Sequence, residues 1–368
     1  MSKEVSLANL IDNLKDMISF GKKSFIGIDI GLSSIKIAQI QKKKSGSYKL
    51  VRFSSCLIPE GALIEDEIHN EEDILDALRE ALEEVGLDNC DCCIGLSGPN
   101  TFARRLQLAG GTEEEINDQV IWEAEQYIPF DIDDAVLSHH VFGQNEGGGM
   151  DVLVVAAKKQ IIDTFKELVE KVKLKVKVID LHSLAVINVF DLISSKNLKK
   201  DCSYIVMDIG AQKTSLIIFR NGRIIFVKEM EIGGLMVTEE IQRQMGVNYS
   251  EAEDLKTNVD ENGNLPEEVV DIIDEVLDTI FTEVKKTIDF YLTSSSDESL
   301  SACFVTGGCT LLPGLIDGIE ALLGMEVKIL NVFDGIEYDK RNIDEDELEN
   351  IAYRGVAALG LAMRDLSL

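Results

Sequence analysis

One short pattern occurs twice, and it limits the fold more than anything else in the chain. Phe25-Ile-Gly-Ile-Asp-Ile-Gly31 enters Leu32-Ser33-Ser34 and leaves through Ile35-Lys-Ile-Ala-Gln-Ile40. Tyr204-Ile-Val-Met-Asp-Ile-Gly210 enters Ala211-Gln212-Lys213 and leaves through Thr214-Ser-Leu-Ile-Ile-Phe219. Each reads as strand, tight turn, strand, because apolar and β-branched runs flank glycine and small polar residues. Such a turn aims several backbone N–H groups at one point, which makes an anion nest. An aspartate at its edge suits a hydrated Mg²⁺. A single copy is compatible with a plain surface hairpin. Two copies at matching points imply two related halves with a ligand site clamped between them.

The chain is long enough for this, with 368 residues and hence room for two domains and a sizeable core. Its formal net charge of −30 argues against nucleic-acid binding, which needs clustered positive charge. It also argues against adsorption to anionic lipid. Seven cysteines include the tight Cys90-Asp-Cys-Cys93. No second cluster matches a zinc spacing, so they read as strand cysteines of a reducing cytoplasm. Residues 1–20 lack the continuous apolar core of a signal peptide. No run approaches the ~20 apolar residues that span a bilayer.

Periodicity divides the chain further. Residues 1–21 form an amphipathic N-terminal segment, with Leu7, Leu10, Ile11, Leu14, Met17 and Ile18 at helical spacing. It is read as packing on its own domain or a partner, or as a membrane-surface foot. Residues 22–99 and 173–202 are assigned to the first domain. Residues 100–172 change pattern to strand, helix, strand, strand, helix, and read as an inserted α+β subdomain. Thr112-Glu-Glu-Glu115 is a capping-box start within it. There Trp122, Tyr127, Ile128 and Phe130 read as core of the insert. Residues 203–240 and 300–346 are assigned to the second domain, 241–299 to a helical subdomain, and 347–368 to a closing helix that returns to the first domain.

A third Gly-rich turn, Thr306-Gly-Gly-Cys-Thr-Leu-Leu-Pro-Gly314, follows a strand and precedes a helix. By itself a Gly-Gly turn is ordinary. Beside the two hairpins it supplies a third wall, where Gly307 and Gly308 let a flat base or phosphate approach the backbone. These turns resemble the phosphate and nucleoside motifs of the actin-like ATPase superfamily. Ile232-Gly233-Gly234 resembles another of its nucleotide turns, and Ala252-Glu-Asp-Leu-Lys256 its ribose-contacting helix. Within that superfamily the chain is similar to the PilM family of type IV pilus assembly, with FtsA as a near relative. Glu123-Ala-Glu-Gln-Tyr-Ile-Pro-Phe130 and Asp151-Val-Leu-Val-Val-Ala-Ala157 carry this likeness, together with Ile179-Asp180.

The resemblance implies an α/β fold of two related domains around a nucleotide cleft, with the inserted subdomain in the first half. It implies ATP and Mg²⁺ as cofactors. Asp29 and Asp208 would face the metal through water. Gly31, Ser33, Ser34, Lys36, Gly210, Lys213 and Thr214 would meet the phosphates, although each lysine also reads as a solvated strand residue. Gly233, Gly234, Glu253, Lys256, Gly307 and Gly308 would meet the nucleoside. A residue that orients water for hydrolysis is poorly marked, with Gln212 and Asp180 as candidates, so turnover is expected to be weak or absent. The implied role is a cytoplasmic adaptor, peripheral to the inner membrane, that holds the N-terminal tail of a PilN-like membrane protein in a groove between the first domain and the insert. Other inner-membrane and motor proteins of the pilus, and self-association, stay open as partners. An FtsA-like filament or a small-molecule kinase on the same fold is the alternative.

Overall fold

The structure, a computed structural model, describes residues 25–145, 147–194, 197–259, 264–295 and 300–364. The amphipathic segment expected at residues 1–21 lies outside them.

The first half opens as an antiparallel meander of β1 (Phe25–Ile30), β2 (Ser34–Lys42) and β3 (Tyr48–Leu57). A small hairpin of β4 (Leu63–Ile64) and β5 (Glu67–Ile68) follows, then helix α1 (Glu71–Glu84) and strand β6 (Asp91–Leu96). The insert contributes β7 (Thr101–Leu108), α2 (Glu113–Glu125), β8 (Ala135–Gln144) and β9 (Met150–Lys158). Helix α3 (Lys159–Lys171), strand β10 (Lys175–Leu181) and helix α4 (His182–Ser194) lead to the second half. There a second meander runs through β11 (Ser203–Ile209), β12 (Thr214–Arg220) and β13 (Arg223–Met230). Helices α5 (Gly234–Met245), α6 (Tyr249–Thr257) and α7 (Glu267–Ser294) follow, then β14 (Leu300–Thr306), α8 (Leu315–Leu323) and β15 (Val327–Ile329). The chain closes through β16 (Ile336–Tyr338), α9 (Leu348–Arg354) and α10 (Val356–Ala362).

The repeat read from the sequence is a repeat of topology. The first sheet has the order β10-β6-β1-β2-β3-β16, and the second β13-β12-β11-β14-β15. In each, a meander is extended by two parallel strands beside its own first strand: β6 and β10 beside β1, β14 and β15 beside β11. The buried strands are rich in Ile and Val, as sheets covered on both faces require. Between the halves lies a shared core. Phe190 of α4 packs edge-on against Phe219, at 5.3 Å between centroids, and against Phe304, at 4.9 Å. Helices α4 and α10 cross closely because Gly360 carries no Cβ, which would collide with the Ala185 backbone.

Four expectations change. Strand β16 pairs with β3, Ile336 against Tyr48 and Tyr338 against Leu50, so this part of 300–346 belongs to the first sheet. Helix α3 buries Phe165, Leu168 and Val169 in the first-half core beside Ile74 and Leu78. The insert proper is therefore the three-stranded sheet β7-β9-β8 with α2, and residues 159–171 lie outside it. Its capping box forms as expected, with Thr112 and Glu115 exchanging bonds. Its proposed core does not hold throughout. Ile128 is buried, but Trp122 is 63% and Tyr127 41% exposed, with Arg104 stacked on the Tyr127 ring. The expected single closing helix is broken at Gly355 into α9 and α10.

Candidate functional site

Both Asp-Ile-Gly turns open into one cavity of about 600 Å³ between the halves. The two turns are built alike. The Gly31 N–H donates to the Ser34 carbonyl at 3.1 Å, and the Gly210 N–H to the Lys213 carbonyl at 2.9 Å. These glycine amides close their own turns, so they are not the phosphate donors the sequence suggests. The residues at the tips are placed differently. Leu32, Ser33, Ala211 and Gln212 line the cavity, and among the described residues their N–H groups donate to no recorded partner.

Asp29 is the penultimate residue of β1 and Asp208 of β11, and both carboxylates are nearly buried. His182, the first residue of α4, stands between them. Its Nε2 lies 3.5 Å from Asp29 Oδ1 and its Nδ1 3.3 Å from Asp208 Oδ2. Lys36 adds a contact at 3.3 Å to Asp29 Oδ2. The two carboxyls are therefore shifted in opposite directions. Burial pushes the Asp29 carboxyl up, but Lys36 and His182 outweigh it and hold it below its ordinary value. Burial raises Asp208, with too little relief from His182 and with repulsion from Asp29. Both carboxylates lie on the cavity wall, and carboxylate oxygens are the donors a hard divalent cation takes, so the chemistry of these residues fits Mg²⁺.

The remaining wall comes from the second half. Lys256 of α6 donates to Glu253 Oε1 at 2.5 Å, to Thr238 Oγ1 at 2.8 Å and to the Gly234 carbonyl at 3.3 Å. Tyr249, Leu311, Leu312 and Gly308 complete this side. A Cβ at Gly308 would meet nothing within 4 Å. Gly307 has φ +99° and abuts Asp208 and the Ile209 carbonyl, so it takes a conformation that favours glycine and leaves no room for a side chain. Gln212 lines the cavity, and its Oε1 is buried with no hydrogen-bond partner.

Several predicted site residues lie elsewhere or do other work. Thr214 is fully buried and donates its hydroxyl to the Ile232 carbonyl at 2.8 Å, so it has none to offer a phosphate. Gly233 is absent from the cavity wall and serves close packing, since a Cβ there would press on the Gly210 and Ala211 carbonyls. Asp180 also lies off the wall. It accepts from the Leu181 N–H at 2.8 Å and pairs with Arg364 Nε at 2.6 Å, which removes it as a candidate for orienting water. Lys213 lines the cavity, but its ammonium is engaged by Asp66 at 2.6 Å. Asp29, Gly31, Ser33, Ser34, Lys36, Asp208, Gly210, Gly234, Glu253, Lys256, Gly307 and Gly308 are all brought together. The sequence reading missed His182, Asp66 and Tyr249. His182 had a signal, since it follows a parallel strand at its carboxyl end, where open α/β sheets place their ligands.

Comparison with known proteins agrees with this architecture. A solved PilM-PilN type IV pilus biogenesis complex contains a chain with a TM-score of 0.81 and 25% identity, covering 93% of this chain and 98% of that one. The ethanolamine utilization protein EutJ from Carboxydothermus hydrogenoformans shares the fold, with a TM-score of 0.56 and 15% identity over 92% of this chain and 88% of that one. The cell division protein FtsA of Enterococcus hirae is 24% identical over 199 residues, which are 48% of this chain and 43% of FtsA. The match thus spans less than half the length of that relative. The two-sheet repeat around a cleft is the actin-like ATPase fold. A sequence model described as "Type IV pilus assembly protein PilM" matches residues 27–366. The chain belongs to the PilM family. Among the described residues, no helix is long and apolar enough to cross a membrane.

Proposed function

We propose that the cleft binds ATP with Mg²⁺, and that the nucleotide sets the shape of a partner-binding surface on a type IV pilus adaptor. The observation that carries this is the meeting of two identical Asp-Ile-Gly turns on one cavity, with their carboxylates joined through His182. Asp29 and Asp208 would hold the metal, which supplies charge neutralisation at the phosphates. The tip residues 32–33 and 211–212 would hold the phosphates from either side, and Glu253, Lys256, Tyr249 and Gly308 would face the nucleoside. Lys36 bonds to Asp29, so one of the two carboxylates already has a cation beside it before a ligand enters. Gln212 is the remaining candidate for orienting water.

The partner reading rests on family membership and on the likeness to a chain of the PilM-PilN complex. By this reading a PilN-like N-terminal tail lies between the first half and the insert, and tethers the chain to the cytoplasmic side of a membrane. Domain closure over nucleotide would then alter that groove.

The test uses calorimetry on the purified chain. Asp208→Ala is expected to weaken Mg·ATP binding about tenfold or more, as loss of a charge-assisted contact does, with the fold retained. Unchanged affinity would overturn the site. For the partner, residues 101–157 are replaced by a short linker. The Lys158 N–H donates to the Asn100 carbonyl at 3.0 Å, so the two ends already meet. Capture of a PilN-like tail should be lost and nucleotide binding kept. Retained capture would put the groove elsewhere.

A further inference from the structure

A hairpin turn at the edge of the cleft breaks the usual residue preferences. Strands β4 and β5 pair Leu63 with Ile68 and Ile64 with Glu67, leaving Glu65-Asp66 as a two-residue turn. Both turn residues have positive φ, 48° and 67°. Such turns favour Asn-Gly or Asp-Gly, because left-handed backbone crowds a Cβ. Strain of this kind persists where the surroundings hold it, and it gathers at functional sites.

What the turn achieves is to carry Asp66 from the first half to the second. Its Oδ2 lies 2.6 Å from Nζ of Lys213, and the two side chains are only 12% and 11% exposed. Gly98, with φ +91°, lies against both, and a Cβ there would strike the Asp66 carboxylate and the Lys213 ammonium. The Gly98 N–H also crosses the cleft and donates to Glu229 Oε2 of β13 at 2.6 Å. Two groups from each half thus close one flank of the cavity. A shielded ion pair adds little stability compared with apolar packing, so its use lies elsewhere.

Lys213 sits at the tip of the second Asp-Ile-Gly turn, beside the partner-free N–H groups of Ala211 and Gln212. An ammonium is a compact charge on a flexible stem, so a stronger anion in the cleft can draw it away from Asp66. We propose that Asp66 stands in for a terminal phosphate: it holds Lys213 while the cleft lacks a nucleoside triphosphate, and releases it to the γ-phosphate when one binds. Asp66 is then a specificity-determining residue that separates triphosphate from diphosphate. This rests on the nucleotide-binding reading above. Release has a mechanical consequence. Glu65, Glu231 and Glu229 are further charged neighbours of Asp66, all acidic. Without Lys213 the turn keeps its strain and gains repulsion, so the Asp66 tie between the halves is released.

The test is Asp66→Asn in the full chain, with Mg·ATP and Mg·ADP affinities measured by calorimetry. Asparagine keeps the size and tolerates left-handed backbone, so the variant isolates the charge. Asp66→Gly, which suits the turn better still, serves as a second variant. Both should raise ATP affinity about tenfold, the worth of one freed charge-assisted contact, and leave ADP affinity nearly unchanged. In a Lys213→Met background, Asp66→Asn should have no effect on either nucleotide. An unchanged ATP-to-ADP ratio overturns the proposal, as does the same gain without Lys213. If the wild-type chain binds neither nucleotide, this inference falls with the reading beneath it. If wild type binds both and only the ratio is unmoved, this inference falls alone.

Discussion

The two Asp-Ile-Gly turns share a backbone and differ in their electrostatics. In the first, Lys36 lies on β2 opposite Asp29 in the ladder and bonds to it directly. In the second, Ser215 holds the ladder position opposite Asp208. The second turn's lysine, Lys213, lies at the tip and is engaged across the cleft by Asp66. One turn is neutralised within itself, while the other keeps a buried carboxylate short of positive charge. A duplicated motif therefore fixes where ligand-binding groups sit, and the neighbouring residues decide which copy stays available. Asp208 is the copy whose burial the neighbouring cationic groups do not offset.

The glycines behind the turns test how far the likeness extends. Gly307 and Gly98 each follow the parallel neighbour of an Asp-bearing strand, and both have positive φ, +99° and +91°. At Gly307 a Cβ meets the Ile209 backbone, which cannot move aside. At Gly98 it meets the ends of two side chains. Gly307→Ala should cost about 2–4 kcal/mol, combining left-handed strain with overpacking. Gly98→Ala should cost about 1–2 kcal/mol. Urea midpoints check the order, and equal losses would mean that the two flanks are equally rigid.

Replacing the carboxylates themselves gives a smaller and more discriminating effect. Asp29 is stabilised as an anion by its partners, so Asp29→Asn should lower stability by about 1–3 kcal/mol, leaving Lys36 with a weaker acceptor. Asp208 is an anion at a disadvantage. Asp208→Asn should leave stability unchanged or raise it slightly, whatever it does to ligand binding. Thermal melts of the two variants check this. A loss of the same size in both would mean that the charge difference between the turns has no energetic weight.

How much of this was legible in the sequence depends on what each feature needed. The strands and the two turns follow from apolar alternation ending in Asp-Ile-Gly, which is local information. The equal topology of the halves follows from the repeat. The reach of β16 to β3 does not, because Ile336-Glu-Tyr338 is too short for a periodic signal and its partner is Tyr48–Leu50, far away in sequence. Helix α3 reads correctly as a helix, yet nothing local says that Phe165 and Leu168 face the first-half core instead of the insert's sheet. In the site, residue types were legible and engagements were not. Thr214 looks like a phosphate ligand until its hydroxyl is seen on Ile232. Asp180 looks catalytic until Arg364 is seen on it. Asp66 has no sequence signal, because its importance comes from meeting Lys213 across the cleft.

The finest test of the comparison is its pH dependence, where the two carboxylates act with opposite sign. Asp29 has a folded pKa below its ordinary 3.8. It therefore contributes stability that is present above 3.8 and lost as pH falls through the lower folded value. The deficit of Asp29→Asn should hold near neutral pH and shrink only below about pH 4. Asp208 has a folded pKa above 3.8. Its charged form costs stability at neutral pH, and that cost disappears as pH falls through the raised folded value. Any advantage of Asp208→Asn should thus fade at a higher pH than the deficit of Asp29→Asn. Melting temperatures of both variants and wild type, followed from pH 7 into acid, give the two crossing points. If both differences fade at one pH, the aspartates titrate as a single coupled pair through His182, and the turns are electrostatically equivalent after all.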